Sequence, residues 1–163
     1  MAARPRAAYL AFMAATSPAH PSSGTAPPGI DLSSMVCRIL DDLRRRDRVR
    51  AVRTEVAPTP HAAGDALALH LLLAAVLRHA WQGTAGLPAA AIEFGARRQG
   101  RSMLFYVRDN GRGIDERAID FAACRRIVQR HGGELRAESS PGQGATFRFT
   151  LPDHTDSPGD PEN

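Results

Sequence analysis

The segment Val107-Arg108-Asp109-Asn110-Gly111-Arg112-Gly113-Ile114-Asp115 carries the clearest chemistry in this 163-residue chain. A strand-like run ends in a carboxylate, Asp109, and Gly111 and Gly113 follow it. A carboxylate held at a strand end can accept a hydrogen bond from an exocyclic amine. Glycine lets backbone approach a ligand closely or adopt positive φ. The same residues also make ordinary turns, because Asn-Gly and Asp-x-Gly are turn sequences. Both readings stand on these residues alone. Further on, Cys124-Arg125-Arg126-Ile127-Val128-Gln129-Arg130-His131-Gly132-Gly133-Glu134-Leu135 reads as a helix stopped by glycine and turning into a strand. Ser139-Ser140-Pro141-Gly142-Gln143-Gly144-Ala145-Thr146-Phe147 reads as a Gly-rich turn entering another strand.

These segments need elements to position them. Leu32, Met35, Val36, Ile39, Leu40 and Leu43 mark one face of a helix, with Asp31 or Ser33 as its cap. Residues 48–56 alternate and end before Pro58, which predicts a strand. Gly64-Asp65 opens a second helix running to about Trp81, apolar almost all round and therefore expected to be deeply buried. Residues 92–95 and 102–108 predict two strands joined by a polar turn. A third helix is expected over 116–131, with Ile119, Ala123 and Ile127 on one face and Gly132 as its stop. Residues 135–138 and 146–151 complete the set. The expected fold is an α/β two-layer sandwich: a mixed sheet of about five strands packed on about three helices.

The Pro/Ser/Gly stretch 17–29 cannot hold a regular element. Residues 1–29 are therefore expected to be a poorly ordered segment and linker, 30–152 the folded body, and 153–163 a disordered acidic tail. With 43% hydrophobic and 23% charged residues, close to the globular average, the composition argues against wholesale disorder of the chain. All 21 basic residues are Arg, so phosphate-binding P-loop lysines and Schiff-base chemistry are excluded too. The Arg are spread over several elements rather than gathered in a stripe with aromatics, which argues against nucleic-acid binding. The apolar run 66–77 is broken by His70 and too short to span a bilayer. Arg4 and Arg6 before an Ala-rich stretch imitate a signal peptide only faintly, so a cytoplasmic chain with no membrane partner is expected. Cys37 and Cys124 have no ligand spacing and read as small core residues.

Taken together and in this order, the three chemical segments resemble the C-terminal half of the ATP-binding domain (HATPase_c) of sensor histidine kinases, in the GHKL or Bergerat-fold superfamily. Asp31-Leu32-Ser33, Gly64-Asp65 and the stretch from Leu71 to Thr84 resemble its first half, in the flavour of phytochrome-like and PAS-linked kinases. The resemblance covers about residues 30–152. It implies that Asp109 holds the adenine amino group of ATP and that Gly111 and Gly113 shape the pocket. It also implies a hydroxyl near the adenine at Thr146, a position equally well explained as a β-former in the last strand.

Departures from the family pattern bear on function. The family's buried helix carries Asn-x-x-x-Asn-Ala, whose second Asn coordinates Mg²⁺. Here those positions are Ala75 and His79, and the phosphate-facing basic position is Gln82. Mg²⁺ prefers hard oxygen ligands, so its binding is put in doubt. The family also has a lid and a Gly-rich loop after the Asp-x-Gly-x-Gly turn; here only residues 114–123 separate Gly113 from Cys124, with no glycine among them, so the lid is expected to be deleted and the Gly-rich loop replaced. Glu116 and Asp120 near the next helix start would satisfy its dipole and repel a triphosphate. No phospho-acceptor is recognised: His20 and His61 lie beside Pro, and His70 and His79 read as core or rim residues. His131 reads as a helix-end partner, and Tyr9-Leu10-Ala11-Phe12 resembles the end of a dimerisation hairpin only weakly.

The resemblance with its departures implies a degenerate domain of two-component signal transduction, a pseudokinase. Weak or lost ATP binding and no autonomous kinase activity are expected. The domain would dock as a monomer on a histidine kinase or response regulator. The alternatives are an active small GHKL serine kinase of the anti-sigma-factor type and a decayed kinase fragment.

Overall fold

The computed structural model describes residues 29–153. The expectations for 1–29 and for the acidic tail fall almost wholly outside that range, as do His20 and Tyr9 to Phe12. Within it the elements run α1 (Leu32–Arg46), β1 (Val52–Val56), α2 (Ala66–Gly83), β2 (Ala90–Gln99), β3 (Ser102–Asp109), α3 (Phe121–Arg130), β4 (Leu135–Ser139) and β5 (Ala145–Pro152).

The strands form one five-stranded sheet in the order β1-β2-β3-β5-β4. β1 and β2 are parallel, joined through α2, and every other pairing is antiparallel. The sheet is therefore mixed, and the three helices cover one face of it. Phe94, Phe105, Phe147 and Phe149 project from three neighbouring strands into that layer and are essentially fully buried. Phe105 stacks on both Phe94 and Phe149, with centroids 6.3 and 5.5 Å apart. Leu69, Leu72, Leu73, Val76 and Leu77 of α2 close over them. Burial of this kind stabilises each side chain by roughly 1.5–3 kcal/mol. The result is the two-layer α/β sandwich expected from the periodicities.

Capping explains where the helices begin. Asp31 caps α1 by accepting from the Ser34 N–H, and Asp65 caps α2 by accepting from Leu67 and Ala68. His131 ends α3 and ties it to α2: its Nδ1 meets the Ile127 carbonyl at 2.7 Å, and its Nε2 accepts from the Asp65 N–H at 3.0 Å. The helix-end role read from the sequence is thus extended into a link between two helices.

Four local expectations are corrected. β1 begins at Val52 rather than residue 48, because Asp47 caps the end of α1 and Arg50 turns inward to the Trp81 carbonyl. β2 is longer than 92–95, since it pairs with β3 along the whole polar hairpin. α3 begins at Phe121 rather than 116. Asp115 draws residues 115–118 into a turn through the Arg117 and Ala118 N–H groups, and Asp120 is the cap. Cys37 is exposed, on the outer side of α1; only Cys124 is a core residue, its thiol pushed up to about 12 by burial.

Candidate functional site

Asp109 is the last residue of β3 and faces the helices, only 3% exposed. Its Oδ1 accepts from the Gly111 N–H at 2.8 Å and from the Ala145 N–H at 3.3 Å. Its Oδ2 is buried with no partner. Burial pushes the carboxyl pKa up, opposed by the Gly111 and Ala145 N–H groups and by nearby His79. A buried acceptor without a donor is costly unless a ligand supplies one. An amine or amide N–H is the matching chemistry.

Close backbone approach builds this corner. Gly144 has φ +83°, and a Cβ there would run into the Asp109 carbonyl. A Cβ on Gly111 would lie 2.6 Å from the Gly83 carbonyl at the end of α2, and the Arg112 N–H bonds that same carbonyl at 3.1 Å. The turn thus satisfies one of the carbonyls that a helix end leaves unpaired. Asn110 pins the turn to the start of β2, donating to the Ala89 carbonyl and accepting from the Ala91 N–H. Gly113 adopts φ +104°.

His79 lies on α2 at 2% exposure, edge-on to Phe147 with centroids 5.2 Å apart. Its Nε2 accepts from the Asp115 N–H at 3.0 Å. A backbone N–H can only donate, so the neutral ring carries its hydrogen on Nδ1. That Nδ1 is buried and has no partner. Burial lowers the His79 pKa, opposed by the charges of Asp109 and Asp115. Between the last turns of α2 and residues 112–118 lies a cleft of about 330 Å³, lined by His79, Gln82, Arg112, Gly113 and Asp115 among others.

The structure thus brings Asp109, Gly111, Gly113, His79 and Gln82 to one end of α2. Ala75 lies one turn earlier on α2, half-buried against the core. Thr146 is not brought there. It pairs in register with Arg108, the neighbour of Asp109, so it points to the helix-free side of the sheet. There it lines an open groove of about 530 Å³ with Tyr106, Arg108 and Arg148. The Ala145 N–H occupies the place beside Asp109 instead. The sequence places Gly144 only in a turn and gives no sign of the Ala145 or Asp115 N–H groups. The Gly-x-Gly spacing of residues 142–144 was the available signal for Gly144; a backbone donor leaves no trace in residue type. Among the described residues no cluster of His, Cys, Asp and Glu could hold a metal ion, and no helix is long and apolar enough to cross a membrane.

The model of the family described as histidine kinase-, DNA gyrase B- and HSP90-like ATPase matches residues 64–155. Phytochrome-like protein Cph1 of Synechocystis sp. is 26% identical over 143 residues, covering 75% of this chain and 19% of the relative. The methanogenesis regulatory histidine kinase FilI of Methanothrix harundinacea is 30% identical over 125 residues, covering 64% and 14%. The chain therefore spans less than a fifth of the length of either relative. Among solved structures, the mycobacterial sensor histidine kinase MprB superposes with a TM-score of 0.62 at 19% identity, covering 77% of this chain and 97% of that one. Full-length ShkA in complex with AMPPNP gives 0.65 at 18% identity, covering 88% and 34%. These structural likenesses show the shared fold.

Proposed function

The chain belongs to the histidine kinase-, DNA gyrase B- and HSP90-like ATPase family, and from that premise we propose that it is a signalling domain that keeps the nucleobase end of the ATP site and has lost the end that grips metal and phosphates. The buried, partnerless Oδ2 of Asp109 fits an adenine amino group. Asp109 would hold that amine, with the Gly111 and Ala145 N–H groups fixing the carboxylate.

The donor set at the other end does not fit Mg²⁺. Ala75 offers no polar atom, and the Nε2 of His79 is engaged by the Asp115 N–H. An imidazole nitrogen is also a poor exchange for a hard oxygen ligand. The observation that carries the proposal is at α3. Its first turn is capped by the chain's own Asp120, which accepts from the Ala123 N–H at 3.0 Å. A helix start of this kind attracts anions through its free N–H groups; here a carboxylate already stands in that place. Phosphoryl transfer depends on positioning and charge stabilisation by metal and donors. Without them autonomous kinase chemistry is not expected, ATP binds weakly or not at all, and the domain acts by docking on a histidine kinase or response regulator.

The test is incubation of the full chain with γ-labelled Mg-ATP, alone and with candidate kinases, response regulators and serine-containing partner proteins. Label appearing on neither chain, together with co-purification of a two-component partner, is the expected result. Transfer to a serine would overturn the proposal in favour of the small serine-kinase reading.

A further inference from the structure

The helices cover one face of the sheet, and the other face holds the groove of about 530 Å³ along β3 and β5. Strand alternation sends Arg97, Leu104, Tyr106, Arg108 and Arg148 to that side. Leu104 is only 7% exposed there and gives the groove an apolar floor. Both acids lining it are engaged. Glu138 pairs with Arg148, and Glu93, opposite Arg108 in register, accepts from the Tyr106 hydroxyl at 2.8 Å. The guanidinium groups of Arg97 and Arg108 line the same groove, are exposed, and form no hydrogen bond or ion pair among the described residues. Arg97 stands opposite Leu104, and Arg108 lies four residues further along β3. The two cations are therefore set about 13 Å apart along the strand direction, with Tyr106 between their levels.

We propose that this groove docks an extended acidic segment of a partner protein, with one carboxylate on Arg97, a second on Arg108, and an apolar residue midway between them. The inference rests on the reading that the domain acts by docking, and it names the surface and the chemistry of what docks. In an extended chain, residues i, i+2 and i+4 point to one side and span about 13 Å, which matches the levels of Arg97, Tyr106 and Arg108. Each guanidinium offers a planar fork of donors that a carboxylate can accept in pairs. The middle side chain would settle against the Tyr106 ring and the Leu104 floor. A second copy of this face would bring its own free arginines against these two, so the charge favours an acidic partner over self-association.

Fluorescence-polarisation titration of the full chain at low salt with a labelled peptide containing Glu-Ser-Val-Ser-Glu tests this. Its affinity is expected to fall about tenfold when either Glu is replaced by Gln, or when the two Glu are made adjacent. Arg97→Gln with Arg108→Gln should remove binding; both side chains are exposed, so the fold is not at risk. Arg126→Gln, which removes an exposed charge on α3, should leave it unchanged. No binding to the unaltered chain, an equal loss from Arg126→Gln, or indifference to the spacing of the acids overturns the inference. Binding that emerges only after Asp156→Asn and Asp160→Asn would give the groove to the chain's own acidic segment and overturn it too. The docking reading fails separately. A two-component partner that co-purifies equally with the Arg97→Gln, Arg108→Gln chain leaves docking intact and removes this face from it, whereas a partner found with neither chain sinks the docking reading itself.

Discussion

The corner around Asp109 and the stretch from Asp115 to the start of α3 are built on opposite plans. Around Asp109 the backbone itself is the material: Gly144 lies against the Asp109 carbonyl, Gly111 against the end of α2, and two N–H groups orient one carboxylate oxygen while the other is left without a partner. Around α3 the side chains answer their own neighbours. Asp120 caps the helix, Asp115 closes a turn on Arg117, and the Asp115 N–H uses up one nitrogen of His79. The first end holds a valence open, and the second closes nearly all of its own. An end that satisfies itself gains stability and gives up affinity, because a ligand must first displace what is there.

Four substitutions or conditions would break or sharpen that contrast. The largest effect is expected from Gly144→Val, which puts a branched side chain at positive φ and into the Asp109 carbonyl. A loss of about 4 kcal/mol or more is expected in urea unfolding, and near-native stability would mean that the close approach is not needed. Next is Asp109→Asn. Adenosine affinity should fall tenfold or more, about 1.4 kcal/mol, while the melting temperature holds or rises because a buried charge has been removed. Unchanged adenosine binding in calorimetry would detach Asp109 from the ligand.

Asp120→Ala acts at the other end. Loss of the cap should cost about 1 kcal/mol of stability with no loss of adenosine affinity. A rise in affinity for phosphate-bearing nucleotides would sharpen the contrast further, since the helix start would be freed for anions.

The smallest effect is a slope with pH. Burial holds His79 below its ordinary 6.5 in the folded state. As pH falls through that value the unfolded chain takes up a proton that the folded chain resists. His79 therefore contributes full stability above 6.5 and progressively less below it, down to its folded pKa. Protonation would also remove the lone pair that holds the Asp115 N–H. His79→Gln should flatten the stability curve below about pH 6.5; an unchanged slope would assign it to another group. Asp109 shifts the other way: its raised pKa makes stability fall as pH climbs through and beyond 3.8.

Much of the fold was legible because it follows from periodicity. The buried face of α1 and the alternation of β5 are patterns of residue type, and they placed those elements closely. Boundaries set by a single side chain were less legible. Asp120 and Glu116 are equally acidic in the sequence, and only packing chose Asp120 as the cap of α3. Thr146 shows the same limit in a strand. Its type suits a pocket hydroxyl, but a step of one residue in register sends a side chain to the opposite face. Register is decided by pairing with Arg108 and Glu138.

What the sequence by itself determined was the order of elements, the apolar faces that must meet, and the chemical identity of Asp109, His79 and Arg112. Only the tertiary structure decided which valences stay open. The groups that take Oδ1 of Asp109 and Nε2 of His79, and leave the other oxygen and nitrogen open, include backbone N–H groups brought in from residues 36 positions away. Residue type constrains a side chain's own atoms, whereas hydrogen-bond satisfaction is a property of the neighbours that folding supplies.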